Sequence, residues 1–167
     1  MSKLLSKTIV KGAGFTNMKN RMNYFKIAPK AFESIMDLEQ YSRKTSIDKK
    51  LRELIKLRVS QMNGCQFCIE MHKKEAKKLK ASEEEIEQLS SWKDADCFST
   101  KEKVVFELAE HVTYIAEKRL DDGLYEQVRK YYDEKEYVDL ILIINQVNMW
   151  NRISISMGNT PKGKGKM

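Results

Sequence analysis

The sequence predicts an all-α fold, and three observations carry that expectation. Glycine and proline are scarce, at 7 and 2 in 167 residues, which leaves little turn chemistry for the many reversals of a sheet protein. Apolar residues recur at three- and four-residue spacing rather than in alternation. Ser82 with Glu85 and Ser99 with Glu102 form capping-box pairs ahead of helical runs.

The elements follow in order. The stretch FTNMKNRMNYFKIA (15–28) reads as an irregular lead-in. Pro29 suits the first turn of a helix, and Phe32, Ile35, Met36, Leu38 and Tyr41 continue an apolar stripe to about Arg43. Asp48 is a cap for a second helix, whose Leu51, Leu54, Ile55, Leu57 and Val59 lead to about Met62. Asn63 and Gly64 then punctuate its end. The pattern is helical again from Cys65 to about Lys80, and Ser82 opens a short helix ending near Trp92. Ser99 opens one reaching about Lys118. Asp121 or Asp122 caps a short helix to Tyr132, and Tyr137 to Met157 forms the last long one.

This length suits one domain with its own core. We place it at residues 18–157, between a basic, loosely ordered N-terminal extension (1–17) and a flexible Lys/Gly tail (158–167). The formal charge of +7 belongs to these ends. Residues 1–30 hold seven basic side chains and no acid, and Lys162, Lys164 and Lys166 follow Gly158. Residues 31–157 are left with 21 basic and 24 acidic side chains. A mildly acidic body argues against nucleic acid, whose binders carry basic charge on a folded face. The apolar stretch YVDLILIINQVNMWNRISISM (137–157) includes Asp139, Gln146, Asn148, Asn151 and Arg152, too many polar groups for a lipid-facing span. The opening residues lack the apolar core of a secretory signal, and three cysteines make an odd set, so a reducing, cytoplasmic location is expected.

The chemistry concentrates in NGCQFCIEMH (63–72). On a helix, Cys65, Cys68 and His72 fall within roughly 60° of one another, and His72 lies one turn beyond Cys68, within contact range. His72 can therefore serve Cys68 but hardly Cys65. Cysteines three apart at a helix start have Cα atoms about 5 to 6 Å apart, close enough for a disulfide. The free N–H groups and dipole of a helix N-terminus favour a thiolate, a cue that points to Cys65. Glu53, eleven residues before Gly64, can meet His72, eight residues after it, if the chain folds back at Asn63-Gly64. Arg52 and Lys56 mark exposed positions beside it. Three readings remain open: a redox pair, a structural metal clip, and inert buried cysteines. The clip is disfavoured because structural zinc draws four ligands from two separated pairs, and Cys97 and His111 stand apart. Those two read as packing or surface residues.

With these residues in view, the chain resembles the AhpD-like alkylhydroperoxidases of the carboxymuconolactone decarboxylase superfamily. RMNYFKIAPKAFESI (21–35), LRELIKLRVSQMNGCQFCIEMHKKEAKKL (51–79) and LIINQVNMWNRISISM (142–157) carry the resemblance. It implies an all-α homo-oligomer (dimer, trimer or hexamer) that reduces organic hydroperoxides without metal or flavin. It also implies roles: Cys68 attacks the peroxide, Cys65 closes a disulfide, His72 and Glu53 relay protons, and an external dithiol, lipoyl or thioredoxin-like, resets the pair. Proximity to His72 then outweighs the helix-terminus cue for Cys65. The sequence departs from the family's best-studied pattern at Phe67, where a histidine precedes the second cysteine; this loses a hydrogen-bond partner. The alternatives are a thiol-disulfide exchange or redox-sensing module, and a decarboxylase-type enzyme using His72. The cysteine pair argues against the latter, because that branch works without one. Trp150 and the apolar last helix are expected to serve assembly.

Overall fold

The computed structural model describes residues 20–161, and every regular element among them is helical. The N-terminal extension and residues 162–167 of the tail lie outside the described residues. Eight α-helices follow in order: α1 Tyr24–Ile27, α2 Pro29–Arg43, α3 Lys49–Met62, α4 Gln66–Lys78, α5 Glu83–Gln88, α6 Thr100–Thr113, α7 Asp122–Arg129 and α8 Glu134–Met157. A 3₁₀ turn, Leu89–Ser91, extends α5.

Capping chemistry sets most of these boundaries. The Asp48 carboxylate accepts from Leu51 N–H at 2.9 Å, and complete capping boxes open α5 and α6. A third box, Asp133 with Glu136, starts α8 at Glu134, three residues before the expected Tyr137. Its first turn is polar, so the apolar period begins late. The lead-in expected to be irregular contains α1, where the Asn23 side chain accepts from Lys26 N–H. α6 stops at Thr113 rather than Lys118, and the cap residue Tyr114 donates its hydroxyl to Met62 O at 3.2 Å. α7 ends at Arg129 rather than Tyr132.

α3 is the central strut, packed against α4, α6 and α8. Its Leu54, Ile55, Leu57 and Val59 are fully buried with Val105, Phe106 and Leu108 of α6 and Ile143 and Ile144 of α8. This continuous apolar contact supplies the main driving force for the fold. Arg52 and Lys56, read from sequence as exposed, are instead buried. A helix surrounded on several sides has no solvated face, so its charges are kept only where others neutralise them.

The reversal between α3 and α4 is pinned by polar groups of α8. Asn63 Nδ2 donates to Asn148 Oδ1 and Asn151 Oδ1, both at 2.9 Å. Asn151 Nδ2 donates to Ser60 Oγ and Asn148 Nδ2 to Thr113 Oγ1, each at 3.0 Å. The amides that interrupt the apolar character of α8 thus lock the turn in place, each bond contributing about 1 kcal/mol net. Gly64 completes the turn at φ 67°, where any side chain would cost about 1 kcal/mol or more. No helix among the described residues is long and apolar enough to cross a membrane.

Candidate active site

Folding back at Asn63-Gly64 lays α4 alongside α3 and delivers the residues of the sequence motif to one place. Cys65 is the N-cap residue of α4 and Cys68 sits in its first turn. The two are joined as a disulfide with Cα atoms 5.3 Å apart. Both are almost fully buried, at 2% exposure each. Their surroundings differ, because Cys68 lines a cavity of about 680 Å³ and Cys65 lies outside its lining.

His72, one turn beyond Cys68, also lines this cavity. Its Nδ1 lies 2.9 Å from Glu53 Oε2 on α3. Burial pushes the Glu53 carboxyl up, but the His72 hydrogen bond, Lys56 and Arg52 more than offset it and hold the group below its usual range. An ionised carboxylate only accepts, so the proton between them sits on Nδ1. In the neutral ring Nε2 is then left as the free base.

Further charges back this pair. Lys56 Nζ, buried at the side-chain level, lies 2.9 Å from Glu39 Oε1 of α2. Arg43 Nε reaches the same oxygen at 3.1 Å. Arg52 Nη1 donates to the carbonyls of Ser42 and Arg43 at 3.3 Å, and its Nε stands 3.7 Å from Glu53 Oε1. Much of the remaining lining is apolar, formed by Tyr24, Phe25, Met36, Phe67, Val147 and Trp150. Phe25 stacks on Trp150 at a centroid distance of 6.5 Å, and Phe32, outside the lining, packs on the same ring at 6.2 Å.

All four residues singled out from sequence therefore come together, Glu53 and His72 by direct hydrogen bond and Cys65 with Cys68 covalently. Phe67, where the family pattern has histidine, contributes to the apolar lining. Cys97 and His111 lie elsewhere. Cys97 stands 4.0 Å from Gln88 Oε1, and burial followed by Glu84 pushes its thiol up. His111 Nδ1 pairs with Arg119 O at 3.0 Å. Among the described residues no three His, Cys, Asp or Glu side chains converge as a metal site. Sequence reasoning missed Glu39, Arg52, Lys56 and the aromatic wall. The Glu39 to Arg43 spacing, i to i+4, was the available signal for the first.

Comparison with known proteins agrees with this architecture. The carboxymuconolactone decarboxylase family model matches residues 29–111. The uncharacterised protein YdfG of Bacillus subtilis is 52% identical over 147 residues, spanning 88% of this chain and all of that protein. A crystal structure from Agrobacterium tumefaciens, of a protein of unknown function given a candidate role in antioxidant defence as AhpD, superposes with a TM-score of 0.84. It is 34% identical and covers 87% of this chain and 100% of its own. The alkylhydroperoxidase AhpD core of an uncharacterised peroxidase-related protein from Ralstonia eutropha has a TM-score of 0.74 at 16% identity, over 84% of this chain and 75% of that one. That similarity speaks to the fold alone. The chain thus belongs to the carboxymuconolactone decarboxylase family, among its AhpD-like proteins.

Proposed function

We propose that this protein is a thiol peroxidase that reduces organic hydroperoxides. One observation carries the reading: of the two bonded cysteines, the one that borders the cavity is the one with a carboxylate-held histidine a single turn away. In the reduced protein, His72 Nε2 takes the Cys68 proton. The thiolate attacks the outer peroxide oxygen, the O–O bond breaks, and Cys68 becomes a sulfenic acid while the alcohol leaves with that proton. The Cys65 thiol then attacks the Cys68 sulfur, forming the disulfide and releasing water. An external dithiol reduces it and is itself oxidised to a disulfide.

The disulfide alone would also fit thiol-disulfide exchange. The volume and apolar wall of the cavity favour a small organic substrate over a protein disulfide.

Fully reduced protein treated with one equivalent of cumene hydroperoxide, then mapped by mass spectrometry, tests the cycle. The expected result is a Cys65–Cys68 disulfide within seconds, reversed by a dithiol. In Cys65→Ser the reaction is expected to stop after one equivalent, with a dimedone-reactive Cys68. Thiols that remain reduced would overturn the proposal.

His72→Ala is expected to slow peroxide consumption about 100-fold at pH 7. The deficit should narrow towards pH 9, where the thiol ionises unaided. An unaltered pH profile would remove His72 from the mechanism.

A further inference from the structure

A second, smaller recess of about 420 Å³ adjoins the active-site cavity. Tyr24, Phe25, Phe67 and Asn159 line both, so these four form the boundary between them. Beyond the boundary lie Asn20, Met22, Asn23 and Thr160, whereas Cys68 and His72 line only the cavity. Three of the boundary residues hold one another in place. Asn159 Nδ2 donates to the Tyr24 hydroxyl at 2.9 Å, and the Tyr24 and Phe25 rings pack on Phe32 at centroid distances of 4.9 and 4.8 Å. Arg21 fastens the lead into α1 to the end of α8, donating to the Met157 and Ser156 carbonyls at 2.9 Å each. Phe67 meets this group from the first turn of α4, and it is the residue next to Cys68.

Seen from the reacting sulfur, the two directions in the cavity are unequal. In one, the lining continues along α4 to Lys78 and Leu79, on the order of 15 Å from Cys68 at about 1.5 Å per residue. In the other it meets Phe67 one residue away. A hydroperoxide whose O–O bond sits at Cys68 therefore has room for one long arm but not for two.

We propose that Phe67 is a specificity-determining residue, which selects hydroperoxides by the position of the peroxide on the carbon skeleton. Chains with the peroxide at one end, and compact centres such as cumene, fit the cavity. A mid-chain hydroperoxide must force its second arm across the boundary. The proposal rests on the peroxidase reading for its chemistry, but its recognition step is separable. The alcohol product keeps the skeleton of the hydroperoxide, and its hydroxyl can donate to His72 Nε2. Each methylene left in water rather than buried weakens binding about fourfold.

Binding is measured by calorimetry on the oxidised protein with 1-decanol and 5-decanol, isomers of equal apolar content. The 1-isomer is expected to bind at least about tenfold more tightly. Phe67→Ala should bring the two within about threefold by joining the recesses. Phe67→Leu, which keeps an apolar side chain, should narrow the gap in the same direction if the alanine variant does not fold. Met22→Asp, a change in the second recess at a side chain 47% exposed, should restore the preference in the Phe67→Ala background. In turnover, kcat/KM for 1-decyl hydroperoxide should exceed that for its 5-isomer about tenfold, and Phe67→Ala should narrow that ratio alike. Equal binding of the isomers by the wild-type protein overturns the proposal even if cumene hydroperoxide is consumed. A preference that persists unchanged in folded Phe67 variants removes Phe67 as its source. A gain in Phe67→Ala that Met22→Asp does not reverse overturns the second recess as the place of the second arm. Selective binding without consumption of any hydroperoxide supports the selection by Phe67 and refutes the peroxidase reading.

Discussion

Cys68→Ser is expected to lower hydroperoxide consumption by at least about 1,000-fold while leaving the fold unchanged. A serine hydroxyl at neutral pH is a far weaker nucleophile than a thiolate, and nothing else bordering the cavity replaces it. The substitution is nearly isosteric, so the buried site has no void to collapse. Compared with the reduced wild-type protein there is no cross-link to lose. Compared with the oxidised form, opening so short a loop removes about 2 kcal/mol at most, less than the usual stability of a domain this size. Circular dichroism and thermal melting should therefore report a folded helical protein. Loss of helicity would make the kinetic result uninterpretable as chemistry, whereas a folded variant consuming peroxide at the wild-type rate would exclude Cys68 as the nucleophile.

The second large effect is expected from Glu53→Gln. The carboxylate is buried against His72, Lys56 and Arg52, and an amide of the same shape removes the negative charge while leaving those cations in place. Removing one partner of a buried charged network costs about 3 kcal/mol, or roughly a 10 °C fall in melting temperature. The pH dependence has a defined sign. The folded carboxyl titrates below its ordinary value of 4.5, so its contribution is fully present above that value and disappears as pH falls through the folded pKa. The gap in stability between wild type and Glu53→Gln should thus be constant around neutrality and close only as the pH falls below 4.5 and through the lowered folded pKa. Peroxide consumption should fall about tenfold with it, because the introduced amide can hold His72 in either tautomer. A variant as stable as wild type at pH 7 would show that Lys56 and Arg52 are satisfied without Glu53.

Helix count and order were legible in the sequence wherever a side chain caps a helix ahead of an apolar run, as at Asp48, Ser82 and Ser99. The start of α8 was displaced because its cap, Asp133, precedes a polar turn rather than an apolar one. α1 is too short for a period to show. Within the site, the Glu53–His72 contact could be anticipated because both residues belong to one hairpin, and the number of residues on either side of Gly64 fixes where they meet. Arg52 and Lys56 were misjudged for a complementary reason. Their burial depends on α2 covering α3 from outside the hairpin, and local spacing carries no information about which helix packs there. The same holds for Phe25, Phe32 and Trp150, which meet across more than a hundred residues of chain.

In the proposed cycle, the position of Cys65 sets the direction in which the disulfide would be opened. It lies outside the cavity lining, so an incoming reductant in the proposed cycle meets sulfur at Cys68. The mixed disulfide must then form there, with Cys65 expelled as the leaving group. Departure is fastest for the thiol of lower pKa, and Cys65 leaves at the start of α4, where the first-turn N–H groups and the helix dipole receive a thiolate. The two cues that point to different cysteines thus describe two half-reactions. In the proposed cycle the histidine would activate Cys68 for oxidation, and the helix terminus would release Cys65 during reduction.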